Sequence, residues 1–238
     1  MALQIEGVKA VLLDIEGTVC HLSFVKDVLF PYALTILETR LESLWTTPSF
    51  LPYLNAFPAS VRTQPGVFLG HIRNLMANDI KDACLKNLQG YLWQDGYENG
   101  VLRCPLFSDV ASTLRKWNSA GLPILIYSSG SVAAQKLLFQ YTEDGDLRPF
   151  LSGYFDTQNA GPKTESSSYI NLVARSTVGV MDPRNWLFFS DRVSEVDAAK
   201  AAGMKALVII REGNVPLDSS EKARCQSVYS LVEVEILK

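Results

Sequence analysis

Short apolar runs recur along the chain, and in its second half they alternate with helix-period patterns. Ala10-Val-Leu-Leu-Asp-Ile15, Pro123-Ile-Leu-Ile-Tyr-Ser128, Gly153-Tyr-Phe-Asp156, Trp186-Leu-Phe-Phe-Ser190 and Lys205-Ala-Leu-Val-Ile-Ile210 are continuous rather than alternating. A strand that is apolar on both sides must be covered on both sides, so these runs predict a parallel sheet between helices. The patterns between them predict helices over Ser108 to Ala120, Val132 to Gln140, Glu165 to Ala174 and Ser194 to Ala202. Ser108-Asp109 can cap the first and Gly121 can end it; Ser131 can cap the second and Gly203 can end the last. A β-α-β-α rhythm from residue 105 onward gives an α/β fold, a doubly wound parallel sheet of Rossmann-like type.

The first strand breaks this rhythm. Val25 to Trp45 is a long amphipathic stretch with Pro31 near its start or at a break, Thr46 to Pro58 carries three prolines and reads as a loop, and Val67 to Leu92 predicts one or two further helices. Residues 20–100 therefore read as a helical cap inserted after the first strand, over the mouth of the sheet. Residues 1–19 and 101–238 form the α/β core.

Composition narrows the class. The chain has 238 residues, 47% hydrophobic and 20% charged, an ordinary balance for a globular protein with a sizeable core. A net charge of −3 offers no nucleic-acid footprint. An anionic substrate would have to meet positive charge locally, from a metal or a placed lysine. Cys20, Cys84, Cys104 and Cys225 are scattered without a C-x-x-C pair, which predicts free intracellular thiols and neither a disulfide framework nor a zinc site. Met1 to Lys9 lacks the apolar core of a signal peptide, and no apolar run approaches the about 20 residues that span a bilayer. A soluble cytoplasmic protein is expected.

In an open parallel sheet, ligands bind beyond the carboxyl ends of the strands, at the point where the strand order reverses. Polar residues gather at those ends. Asp14-Ile-Glu-Gly-Thr18 follows the first strand, Ser128-Ser-Gly130 the second, and Ser190-Asp191 ends the fourth, with Glu195 four residues on. Lys163 lies in the loop after the third. A carboxylate such as Asp14 can attack phosphorus and form an aspartyl phosphate, dividing a hard hydrolysis into two displacements. Mg²⁺ would relieve the repulsion between two anions, held by Asp14 and Asp191, with Glu195 as an inner or outer contributor and the Glu16 carbonyl well placed. Ser128 and Ser129 precede a helix N-terminus and can hold phosphoryl oxygens. Lys163 can neutralise the transferring group, and Glu16 can act as acid or base.

Singly, each feature has a bland explanation. An aspartate at a strand end is often a turn cap, Ser-Ser-Gly is usually a turn, and Asp-x-x-x-Glu suits the start of any exposed helix. Their shared placement at strand ends, in this order, argues for a site. His21 and His71 lack metal-site spacing, and neither G-x-x-x-x-G-K-[ST] nor G-x-G-x-x-G occurs. Phe24, Phe30, Tyr32 and Trp45 read as core of the insertion.

These four motifs resemble the haloacid dehalogenase superfamily of aspartyl phosphatases. Its usual second aspartate is here Glu16. Leu13-Asp-Ile-Glu-Gly-Thr18 followed by Ser23-Phe-Val-Lys-Asp-Val-Leu-Phe-Pro-Tyr32 resembles the enolase-phosphatase (acireductone synthase) family of methionine salvage. So do Ile126-Tyr-Ser-Ser-Gly-Ser-Val132 with Gln135-Lys-Leu-Leu-Phe139, Gly153-Tyr-Phe-Asp-Thr157 with Lys163, and Ser168-Tyr169. The match runs from about residue 10 to Arg211-Glu-Gly-Asn214. The resemblance implies enolisation of 2,3-diketo-5-methylthiopentyl-1-phosphate, then hydrolysis to the acireductone 1,2-dihydroxy-3-keto-5-methylthiopentene and phosphate, a step towards L-methionine. It implies one Mg²⁺ per chain on Asp14, Glu16 and Asp191, substrate binding by Ser128, Ser129 and Lys163, catalysis by Asp14 and Glu16, and a monomer in the cytoplasm, also nuclear in a eukaryote. Another small-molecule phosphatase of the superfamily, a phosphomutase that returns the phosphoryl group to substrate, or a binding protein on the same fold remain alternatives.

Overall fold

The computed structural model describes residues 2–78, 80 and 82–237. The chain divides into two compact units, Met1–Phe24 with Arg103–Lys238, and Val25–Leu102.

The first unit is built on a six-stranded parallel sheet. Its strands are β2 (Ala10–Leu13), β3 (Ile124–Tyr127), β4 (Gly153–Phe155), β5 (Trp186–Ser190), β6 (Lys205–Ile209) and β7 (Ser227–Val228), in the order β4-β3-β2-β5-β6-β7. The chain runs outward from β2 through β3 and β4, then crosses back to β5 and runs the other way, so the order reverses between β2 and β5. Leu13 lies opposite Ile126 on one side and Phe189 on the other. The next residue, Asp14, therefore emerges at that reversal. Every residue of β2, β3 and β5 is buried, as their continuous apolar runs require.

Four helices cover this sheet: α5 (Val110–Ser119), α6 (Val132–Gln140), α7 (Ser166–Arg175) and α8 (Val193–Ala201); a short α9 (Ser219–Arg224) precedes β7. Ser131 does cap α6, its Oγ accepting from the Ala134 amide at 3.3 Å. Asp109 does not cap α5. Its carboxylate is taken instead by Arg211, Ser230 and the Leu231 amide. A buried guanidinium outcompetes a helix end for it. Gly203, with φ +92°, ends α8 in the left-handed turn expected of it.

Two features escaped the hydrophobic pattern. β1 (Leu3–Glu6) pairs in parallel with β8 (Val234–Leu237) as a separate two-stranded sheet, and β7 is too short to leave a pattern. Leu3-Gln-Ile-Glu6 alternates, as a half-exposed strand should, but four residues are a weak signal.

The second unit is helical, with α1 (Phe30–Leu44), α2 (Leu51–Asn55), α3 (Pro65–Ala77) and α4 (Ala83–Glu98). The stretch from Val25 is not one uniform helix, since a π-helical segment over Phe24–Leu29 precedes α1. Pro31 sits in the first turn of α1, where its missing N–H costs nothing. The predicted loop Thr46 to Pro58 contains α2, a correction that follows from Pro52, which stands in that helix's first turn. α1 packs on α3 and α4 around Phe50, Phe57 and Phe68. Among the described residues no helix is long and apolar enough to cross a membrane. All four cysteines are free.

Candidate active site

The loop after β2 turns tightly. The Asp14 amide donates to the Phe189 carbonyl at 3.0 Å, extending the β2–β5 ladder by one bond. The amides of Thr18, Val19 and Cys20 all donate to the Ile15 carbonyl, at 3.2, 2.8 and 3.1 Å. Gly17 makes the turn possible in two ways. Its φ is +70°, and a Cβ there would lie 2.8 Å from both Asp191 Oδ2 and Asn214 Oδ1. Asp191 and the loop thus approach as closely as a missing side chain allows.

Asp14 lies in a closed ring of four side chains. Lys163 Nζ is 2.5 Å from Asp14 Oδ1 and 2.6 Å from Glu195 Oε2. Ser190 Oγ donates to Glu195 Oε2 at 2.7 Å and lies 3.4 Å from Asp14 Oδ2. Asp14, Lys163 and Ser190 are buried. The lysine loop is fixed by two buried phenols: Tyr169 donates to the Lys163 carbonyl at 2.8 Å and Tyr127 to the Gly161 carbonyl at 2.7 Å. Burial pushes the Tyr127 hydroxyl up to about 12, so it stays a donor.

The electrostatics of this ring are unbalanced. Burial raises the Asp14 carboxyl to about 8, opposed by Lys163 and reinforced by Glu195 and Asp191. Burial also raises Asp191, to about 6, with Glu195 and Glu16 adding to it. Burial disfavours the Lys163 ammonium, but Asp14 and Glu195 outweigh that and hold its pKa above the ordinary lysine value. The shifts on Asp14 and Lys163 pull opposite ways for one ion pair, and the arithmetic of charge resolves them. Lys163 is shared between Asp14 and Glu195, and Asp191 has only the partial help of Lys163 and Arg192, so the lysine stays charged and the surplus falls on Asp14 and Asp191.

Ser128 and Ser129 leave β3, the strand next to β2, at the same sheet edge. Ser128 is buried and Ser129 exposed. The Ser128 amide donates to the Phe155 carbonyl at 3.1 Å, and the Gly130 amide donates to Ser128 Oγ at 3.3 Å. Gln135 braces the turn, its Nε2 donating to the carbonyls of Gly130 and Phe155, both at 2.8 Å. Asp156 takes the amides of Val132, Gln158 and Asn159 and so fixes the start of α6. Sequence reasoning did not assign roles to Ser190, Gln135 or Asn214. The first stands beside Asp191, but the other two are legible only once the loops are folded.

A six-stranded parallel sheet with an acid–lysine cluster at its point of reversal defines a hydrolase class, and residues 8–203 match the family of haloacid dehalogenase-like hydrolases. The enolase-phosphatase E1 of Sclerotinia sclerotiorum is 52% identical over 241 residues, covering 97% of this chain and 94% of that protein. The enolase-phosphatase E1 of Podospora anserina is 50% identical over 228 residues, covering 95% and 97%. The crystal structure of the UTR4 protein of Saccharomyces cerevisiae superposes with a TM-score of 0.82 at 35% identity, covering 94% of this chain and 98% of that one. The chain belongs to the haloacid dehalogenase-like hydrolases and, within them, to the enolase-phosphatase family.

Members of this family generally use Mg²⁺. Among the described residues no three His, Cys, Asp or Glu side chains converge as a ready metal cage. The donor chemistry nevertheless fits the ion. Mg²⁺ keeps several waters and takes one or two carboxylates rather than an all-protein cage. The surplus charge on Asp14 and Asp191, and the buried, unpartnered Asn214 Oδ1 that shares with Asp191 Oδ2 the space beside Gly17, suit a hydrated cation.

Proposed function

We propose that this chain converts 2,3-diketo-5-methylthiopentyl-1-phosphate to the acireductone and phosphate, using Asp14 as nucleophile and Glu16 to move protons. The observation that carries the reading is the cluster at the β2–β5 reversal, where one ammonium is shared by Asp14 and Glu195, and Asp191 adds a further acid nearby. Such a site repels a phosphate until more positive charge arrives, and a nucleophilic carboxylate needs that charge to stay ionised.

Asp14 and Asp191, with Glu16 through its backbone carbonyl or side chain, would hold one Mg²⁺ per chain. When bound, that ion supplies the positive charge that keeps Asp14 ionised, screens the phosphate and polarises the dicarbonyl. The residues do the rest. Glu16 removes the proton beside the carbonyl, leaving an enolate that takes a proton from solvent to become the enol. Asp14 then attacks phosphorus as the P–O bond to carbon's oxygen breaks, and Glu16 returns a proton to the departing oxygen. Water, losing its proton to Glu16, releases phosphate from the aspartyl phosphate and restores Asp14. Lys163 neutralises the transferring oxygens, and Ser128 and Ser129 bind the phosphate with amides near the start of α6. Residues 20–100 would serve as the cap that excludes water during these steps, while residues 1–19 and 101–238 carry the chemistry. We assign the protein to the cytoplasm as a monomer, and to the nucleus as well in a eukaryotic cell.

Stopped-flow ultraviolet absorbance on the diketo phosphate or its desthio analogue, with and without Mg²⁺, tests the proposal. The expected record is a transient enol followed by Mg²⁺-dependent phosphate release. Release from generic phosphomonoesters without reaction of the diketone would discard the substrate and keep the hydrolase. Transfer of the phosphoryl group to a sugar phosphate would make the chain a mutase.

A further inference from the structure

The loop that carries Asp14 and Glu16 is held from the far end of the chain. The turn after β6 closes with the Asn214 amide donating to the Arg211 carbonyl at 3.2 Å, and Gly213 has a φ of +85°. Its two ends grip consecutive carbonyls of the nucleophile loop. Asn214 Nδ2 donates to the Gly17 carbonyl at 2.9 Å and to the Ile209 carbonyl at 3.3 Å. Arg211 Nε donates to the Thr18 carbonyl at 3.1 Å.

Arg211 is itself immobilised. It is buried, pairs with Asp109 at 3.0 Å, donates to the Tyr229 carbonyl at 3.0 Å, and lies 4.6 Å over the Phe107 ring. Asn214 has no ion pair of its own, yet stands closer to the chemistry. A Cβ on Gly17 would meet Asn214 Oδ1 and Asp191 Oδ2 at the same 2.8 Å, so amide, loop and acid share one small space. Moving the Gly17 carbonyl by a fraction of an ångström would displace Glu16, one residue before it, relative to Asp191.

We propose that Asn214 is a positioning residue for the reaction: with Arg211 as anchor, its carboxamide clamps the Gly17 carbonyl and so sets Glu16 and Asp14 against Asp191. This rests on the hydrolase reading above. Productive geometry in such sites is held within about half an ångström by groups that never touch substrate.

The test uses Asn214→Ala and Asn214→Leu, which keeps a similar bulk but cannot donate to Gly17. Removing Arg211 would strand Asp109 in the core and confuse folding with function. Two quantities are read on the full chain: hydrogen–deuterium exchange over residues 16–20, and kcat and KM for phosphate release. The expected result in both variants is exchange faster by about tenfold and kcat lower by about 10- to 100-fold, with KM within about twofold. Wild-type exchange in both variants overturns the clamp. Faster exchange with unchanged kcat overturns its role in the reaction, as does an Asn214→Leu variant that behaves as wild type. A wild-type chain that releases no phosphate from any phosphoester defeats the hydrolase reading and with it the catalytic half of the proposal, while the exchange data still decide whether the clamp exists.

Discussion

In the helical unit the charged side chains pair at the surface. Arg40 meets Asp95 at 3.1 Å and Arg73 meets Glu38 at 2.7 Å, all of them substantially exposed. The core beneath is aromatic and aliphatic, and Gln89 is its one buried polar residue among those described. The α/β unit has such surface pairs too, Arg148–Asp146, Arg184–Asp182 and Arg224–Asp197, but it also buries charge. Asp14, Asp156, Lys163 and Arg211 are buried there together with Ser128, Gln135 and Ser190. Burying a charge costs several kcal/mol unless it is paired, and breaking such a pair costs more than it would ever return as stability. The helical unit is built as a fold is built for its own sake. The α/β unit carries two buried ion-pair nodes, one at Lys163 and one at Arg211, and each serves the Asp14 loop.

The comparison breaks most sharply at Lys163. Lys163→Met leaves the buried Asp14 and the half-buried Glu195 without their cation, which should cost about 3–5 kcal/mol in denaturant unfolding. It should also lower kcat by about 10²- to 10³-fold. Adding Asp14→Asn should restore part of the lost stability, because it removes one of the stranded charges.

A smaller effect separates the acids by pH. The folded pKa of Asp191 is raised from 3.8 to about 6, so its ionisation is harder in the folded state than in the unfolded one. The Asp191 contribution to metal-free stability should therefore fall as pH rises from about 4 to about 6 and stay lowered above that, while Asp14 extends the fall to about 8. Asp191→Asn should melt with the wild type at pH 4 and a few degrees above it at pH 7, without metal, by calorimetry. A variant less stable than wild type at pH 7 would contradict the uncompensated charge.

The smallest effect belongs to the helical unit. Arg40→Ala should cost less than about 1 kcal/mol, since both partners of its pair face solvent. A large loss there would mean the contrast between the units is wrong.

The continuous apolar runs made the central strands legible, because a strand buried on both faces leaves no room for polar residues. The short edge strands β4 and β7 differ: Gly153–Phe155 was readable, while Ser227–Val228 was too brief. Asp14, Lys163 and Asp191 were visible because strand ends in a parallel sheet converge. The partners that hold them were not. Ser190 stood out only as a strand-end polar residue, and nothing in the sequence tells that it bridges Asp14 and Glu195, that Tyr169 holds the Lys163 carbonyl or that Asn214 reaches the Gly17 carbonyl. Asp109 misled for the same reason, being a natural cap claimed by a guanidinium 102 residues away.

The most direct measurement is quenched-flow mass spectrometry of the peptide containing Asp14 during turnover with Mg²⁺. A phosphoryl group that appears on Asp14 and decays as phosphate is released, absent together with release in Asp14→Asn, is the result expected. Phosphate released at the wild-type rate by Asp14→Asn, with no phosphoryl peptide in either protein, would contradict the account.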